Sequence, residues 1–204
     1  MRKATRIVAL CLGILAGLAG LEHGYFETLQ GSARPAGWMF PSWGPLQCDP
    51  AKVWHACEPA MSLVPNFLVT GILTILLSLV IVAWSVAFVQ RRNGGWTLLV
   101  LALAQLLLGG GFFPPLIGIV GAAAGIQINK SFAKAPASVT RFAARLWPWP
   151  LVILTAWLLG QFPLGAIAND FMKSIVGWGL LLIVVTLPLS LWSASAHDAV
   201  KAAE

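Results

Sequence analysis

Residues 96–128 read WTLLVLALAQLLLGGGFFPPLIGIVGAAAGIQI, and the way this stretch divides decides the fold. A helix crossing a hydrocarbon core of about 30 Å needs about 20 residues, so 33 apolar residues are too many for one crossing. Gly109, Gly110 and Gly111, followed by Pro114 and Pro115, cannot continue an unbroken helix, while proline suits the first turn of a new one. A turn is predicted there, flanked by arms over 96–108 and 116–128.

Four further apolar runs, over roughly residues 7–29, 61–89, 146–162 and 175–192, each have the length of a single span. Whether the broken stretch crosses once or returns is decided by lysine and arginine, which are retained in cytoplasmic loops. With the chain starting inside, a single crossing divides the 13 basic residues six to seven, which carries no orientation. A hairpin divides them ten to three. The expected fold is therefore an all-α, polytopic transmembrane bundle with four long spans, a short or re-entrant helical hairpin over 96–128, and both termini in the cytoplasm. Each arm of 13 residues is only about 20 Å long, so full crossing and re-entry both remain open. Met1-Arg2-Lys3, an apolar run and Ala19-Gly20 also fit a cleaved signal peptide, but the run is expected to stay as the first span.

The composition agrees with that class. Of the 204 residues 58% are apolar and 10% charged, against about 25% charged in soluble chains, and the mean hydropathy is +0.83. These values exclude a soluble globule, a disordered chain and a coiled coil. The net charge of +6 comes from basic residues placed between apolar runs, which argues for topology and anionic headgroups and against nucleic acid. A bacterial-type plasma membrane is the expected location. Trp38, Trp43 and Trp54 fall in an outer loop, and Trp84, Trp96, Trp147, Trp149 and Trp192 near inner span ends, where indoles favour the headgroup layer. Trp157 is mid-span and demands a packing partner.

Gly13, Gly17, Gly20 and Gly24 fall within about 60° of one another on the first helix. Gly118, Gly121 and Gly125 make a second face of small residues on the later hairpin arm. Such faces let helix backbones approach closely, within the bundle first and between copies second. Glu27 continues the first stripe, whereas Glu22 points roughly the opposite way, so a carboxylate pair from this helix alone is not expected.

In the hairpin topology Glu22, His23, Glu27, His55 and Glu58 gather at the outer end. Glu22 and His23 come about 24 Å along the first span, just inside the hydrocarbon boundary, where an ionisable group needs a partner, a wet recess or a protonation change. Carboxylate and imidazole suit iron, manganese or zinc, and His55 and Glu58 share a face if their segment is helical. Against a metal site, Glu-x-x-His pairs and His-Glu-x-x-His are absent. The plainer reading has these groups capping helix ends, pairing with Arg34 or Lys52, and facing water. No cofactor follows from the pattern. Gln105, Gln161, Asn66 and Asn169 read as hydrogen-bond partners between helices, and Asp170 with Lys173 as a solvated pair.

Residues 30–60 form an outer loop too rich in proline and aromatic residues for a flexible linker, and a compact lid on the bundle mouth is expected. Cys48 and Cys57 enclose eight residues on the oxidising side, so a disulfide is the first reading and zinc held by Cys48, His55 and Cys57 the second. Within this loop Trp38-Met39-Phe40-Pro41-Ser42-Trp43 resembles a segment of the tryptophan-rich translocator proteins. The resemblance covers those six residues and implies no activity.

Walker, dinucleotide, Cys-x-x-Cys and nucleophile-elbow motifs are all missing. The leading functional expectation is an accessory, scaffold or lipid-contacting subunit that meets a membrane partner, or a second copy, through its outer loop. Two others stand beside it: a metal- or quinone-dependent enzyme using the outer Glu/His residues, and a small-solute transporter or channel suggested by the interrupted hairpin.

Overall fold

The computed structural model describes residues 2–41, 54, 58–131 and 138–204. Their elements are α1 (Lys3–Thr28), β1 (Met39–Pro41), β2 (Pro59–Met61), α2 (Phe67–Ala87), α3 (Gly94–Leu107), α4 (Phe113–Gln127), α5 (Ser138–Leu146), α6 (Trp149–Ile167) and α7 (Asn169–Lys201). Four helical stretches, α1, α2, α5–α6 and α7, are long and apolar enough to cross a membrane, while α3 and α4 are shorter apolar helices. The chain is a helical bundle of the membrane-spanning kind, with one two-stranded antiparallel ribbon pairing Phe40 with Ala60.

The stretch over 96–128 makes a hairpin. Gly109 (φ 98°) and Gly111 (φ 73°) adopt the left-handed backbone that side chains disfavour, and Pro114 and Pro115 open α4 within its first turn. Gly125 then lies so close to Gly95 that a Cβ would be 2.8 Å from its Cα, which binds the two arms tightly. Each arm is about 21–22 Å long, short of a hydrocarbon core. Their connecting segments make up the difference. The Arg2 N–H donates to the Ile128 carbonyl (3.1 Å), and at the other end Gly111 packs on His23. That interval of α1 is about 30 Å, so the hairpin accompanies α1 along nearly its whole length.

Protein encloses the turn. The Leu63 N–H donates to the Leu107 carbonyl (3.0 Å), the Thr74 hydroxyl donates to Leu108 and the Gly110 N–H to Gln105 (2.9 Å). Irregular backbone at this depth is tolerable only when its polar groups are satisfied in this way.

Glycine faces set how closely the helices approach. Across from Gly13, Gly17 and Gly24 of α1 lie Ser85, Val82 and Gly71 of α2, and Gly121 of α4 rests on Leu12 and Gly13. Gly20 leaves room for the Gln105 side chain, whose amide donates to the Ala16 carbonyl (3.2 Å) and to Ser78 Oγ (3.0 Å). Both small-residue faces are therefore occupied inside the bundle. In lipid such approach supplies the dispersion contact that a hydrophobic drive supplies in water.

The path of the chain brings its two ends together. Asp198 near the end of α7 accepts from the Ala4 N–H (3.0 Å), the Thr5 N–H (2.8 Å) and the Thr5 hydroxyl (2.8 Å). Arg2 offers no side-chain cap to α1, so a carboxylate from the last helix caps the first, where the helix dipole favours negative charge. Arg2, Lys3, Arg6, Arg91, Arg92, Lys130, Arg141, Arg145 and Lys201 all belong to this end of the bundle. Of the described basic residues, Arg34 and Lys173 belong to the other; Lys52 and Lys134 lie outside the described residues.

Several boundaries differ from the sequence reading: the run over 61–89 becomes helical only at Phe67, after β2 and a turn. The last helix runs over Asn169–Lys201 and not only over its apolar core, because its polar final turns pack against α1 and α5. The preceding span begins after Pro148, which separates the short α5 from α6.

Candidate functional site

At the end opposite the chain termini, α1 and α4 diverge from α6 and α7 around a cavity of about 340 Å3. Leu15, Leu18, Phe113, Ile117, Trp157, Leu158, Leu180 and Ile183 make its walls, and Glu22, His23, Glu58 and Gln161 are its polar groups. Leu18, Leu159, Phe162 and Leu180 line it yet remain 38–53% exposed, so its sides are open.

Local chemistry explains the wedge. The α6–α7 pair is held together where Trp157 lies across Gly179, at which a Cβ would come within 2.0 Å of the indole. This is the packing partner that a mid-span tryptophan requires, and the ring also lines the cavity. Trp54 closes the top: its backbone N–H donates to the Asn169 side-chain oxygen (2.9 Å), its indole covers Gly165, and its ring meets Phe162 edge-on at 6.1 Å.

The outer polar residues separate into two groups. His23, buried at 3% exposure, faces Glu58 with 3.1 Å between Nε2 and Oε2, and Glu22 lines the same cavity. Residues 22 and 23 diverge by about 100° around α1, yet both reach the cavity because it wraps that part of the helix. Glu27 is elsewhere. It is fully buried on the glycine face, its carboxylate against Gly109, and neither oxygen has a hydrogen-bond partner among the described residues. His55, Cys48 and Cys57 lie outside the described residues. Among those described, no three His, Cys, Asp or Glu side chains gather closely enough to hold a metal ion.

The remaining candidates have structural partners. Asn66 caps α2 through the Val69 N–H (3.1 Å), and Lys173 pairs with Asp170 at 2.6 Å. The described part of the 30–60 segment packs as a ribbon, with Phe40 edge-on to Phe67 at 4.9 Å. Sequence reasoning missed Asp198, the cap of α1, and Gly179, the seat of Trp157. An acid in the final turns of a span-length helix was the available signal for the first.

No protein family matches the chain, and neither curated proteins nor solved structures show a significant similarity to it.

Proposed function

We propose that the protein is a lipid-contacting membrane protein that holds an amphiphile in the wedge between α1, α4, α6 and α7. One observation carries this reading: the cavity has aromatic and aliphatic walls, exposed sides, and a buried imidazole paired with a carboxylate at one end only. An acyl or isoprenoid chain matches the walls, and a hydrogen-bonding head matches the polar end. By the positive-inside bias, the basic end with both termini faces the cytoplasm of a bacterial-type plasma membrane, and the cavity takes its ligand from the outer leaflet. On that side Cys48 and Cys57 are proposed to close a disulfide that braces the outer segment against a membrane partner.

Purification in mild detergent followed by solvent extraction and mass spectrometry tests the reading. One lipid class enriched over the bulk membrane, and lost when a tryptophan in place of Ala19, which lines the cavity, fills it (Ala19→Trp), is the expected result. Extracts matching bulk composition in both proteins would reject it.

A quinone-dependent enzyme is the second reading, favoured by imidazole and carboxylate side by side at the end of an aromatic pocket, where a ring carbonyl could accept a hydrogen bond. The same extract discriminates, since quinone would dominate it.

A further inference from the structure

We infer that the recess where the two ends of the chain meet is a second lipid site, one that takes the phosphate diester of an anionic phospholipid. It lies at the opposite end of the bundle from the wedge and does not depend on what the wedge holds. The orientation of the bundle decides only which leaflet supplies the lipid.

The recess, of about 540 Å3, opens between the start of α1, the end of α7 and Trp147. Its cations come from both ends of the chain, Arg2 and Lys3 from one and Lys201 from the other, and His197 adds an imidazole. Arg2 is held in place by backbone: its guanidinium donates to the Lys130 carbonyl (3.2 Å) and to the Ser131 carbonyl (3.2 Å). Carbonyls accept these bonds without neutralising the charge. Lys3 is exposed at the rim.

Anions are scarce at this end. Of the described acids, Glu22, Glu27, Glu58 and Asp170 belong to the other end, which leaves Asp198 and Glu204. Asp49 lies outside the described residues, between Pro41 and Trp54 in the sequence, and the segment over 132–137, also outside them, contains Lys134 and no acid. Asp198 lines the recess, but its two oxygens are taken up by three donors of α1's first turn at 2.8–3.0 Å. Glu204 meets Lys201 at 3.0 Å, with both side chains more than 60% exposed, and such a surface pair contributes little and gives way to a stronger anion. Among the described residues no carboxylate is left to neutralise Lys3.

The walls make the anion a lipid. Ile7, 48% exposed and one turn further along α1 than Lys3, lines the recess with Trp147, whose indole suits the headgroup layer. A phosphate held by the cations has its glycerol and acyl chains led onto these apolar faces, which a free phosphate leaves bare. A zwitterionic head would bring its ammonium among like charges. Basic pockets between helix ends at this depth are suited to anionic headgroups.

The experiment titrates the full-length protein in maltoside micelles with dioleoyl phosphatidylglycerol, dioleoyl phosphatidylcholine or inorganic phosphate, read by native mass spectrometry. Phosphatidylglycerol is expected to bind at least about tenfold more tightly than either other probe. Each lysine is expected to supply about fivefold, so Lys3→Gln/Lys201→Gln should weaken phosphatidylglycerol at least about tenfold. Arg91→Gln/Arg92→Gln removes two exposed charges from the turn between α2 and α3 at the same end, and should change it by less than about twofold. All four side chains are exposed, so the variants are expected to fold, and the ranking of probes in the unaltered protein stands by itself. Equal binding of the two lipids overturns the anionic assignment, and inorganic phosphate as tight as phosphatidylglycerol overturns the lipid. A preference untouched by Lys3→Gln/Lys201→Gln, or lost equally in Arg91→Gln/Arg92→Gln, overturns the recess as its location. None of these outcomes bears on the wedge, which is tested by Ala19→Trp.

Discussion

The carboxylate of Glu27 lies directly against Gly109, so close that a Cβ at that glycine would stand 2.5 Å from one oxygen and 2.6 Å from the other. The tip of the hairpin is thus seated on an acid of the first helix, with the Thr70 methyl crowding the same point. Gly109→Ala meets this contact and a φ of 98° together, and is expected to cost at least about 2–3 kcal/mol. Gly31→Ala, also at positive φ but facing open space, provides the control, with an expected loss of about 1–2 kcal/mol. Thermal unfolding in detergent would show the two as equal if the hairpin seat were unimportant.

Glu27 itself is buried with no hydrogen-bond partner for either oxygen among the described residues, an arrangement that costs stability when the group is ionised. Glu27→Gln keeps the shape and removes the ionisable group. In alkaline detergent solution, where the buried acid is driven to ionise, its melting temperature is expected to exceed that of the unaltered protein by about 2–4 °C, corresponding to about 1 kcal/mol in a chain of this size, with little difference near neutral pH. A fall of that size would mean that the carboxylate is doing something useful to the fold.

Asp198 caps a helix that begins almost two hundred positions earlier in the chain. Asp198→Ala leaves the Ala4 and Thr5 N–H groups without their acceptor, and a loss of about 1–2 kcal/mol is expected. Asp198→Asn retains an acceptor and should lose about half as much. In a double-mutant cycle with Thr5→Val the two changes should be non-additive, because they share the 2.8 Å hydroxyl contact. Additive effects would dissociate the cap from Thr5.

Orientation is open to labelling in a background with Cys11, Cys48 and Cys57 replaced by serine. A cysteine at Gly37, where a side chain meets nothing, should react with a membrane-impermeant thiol reagent added to intact cells. One at Ser138, exposed at the start of α5, should react only after permeabilisation. The opposite pattern would invert the bundle and turn the cavity toward the cytoplasmic leaflet.

The hairpin shows why part of the fold was legible early. Three glycines and two prolines restrict the backbone wherever they stand, so a turn over 109–115 follows without knowledge of any neighbour. The same holds for span length, set by hydrocarbon thickness. Glu22 and Glu27 were legible as facing opposite ways on α1, but that His23 and Glu58 share a cavity with Glu22 and not with Glu27 was not. Four residues separate His23 from Glu27, a spacing that places them near one another on α1. The difference in their surroundings comes from what packs there: Gly109 and Thr70 on one, Gly111 and Glu58 on the other.

The chain's own chemistry thus settles the spans, the U-turn and the segregation of basic residues, because each depends on length, local backbone freedom or charge along one segment. Helix rotation and packing decide the rest. That His23 meets Glu58, that Asp198 reaches Thr5, and that α6 and α7 stand away from α1 to leave a cavity are contacts between distant segments. They depend on how side-chain volumes fit between helices, with Gly20 admitting Gln105 and Gly179 admitting Trp157, and no periodicity in a single helix encodes such a fit.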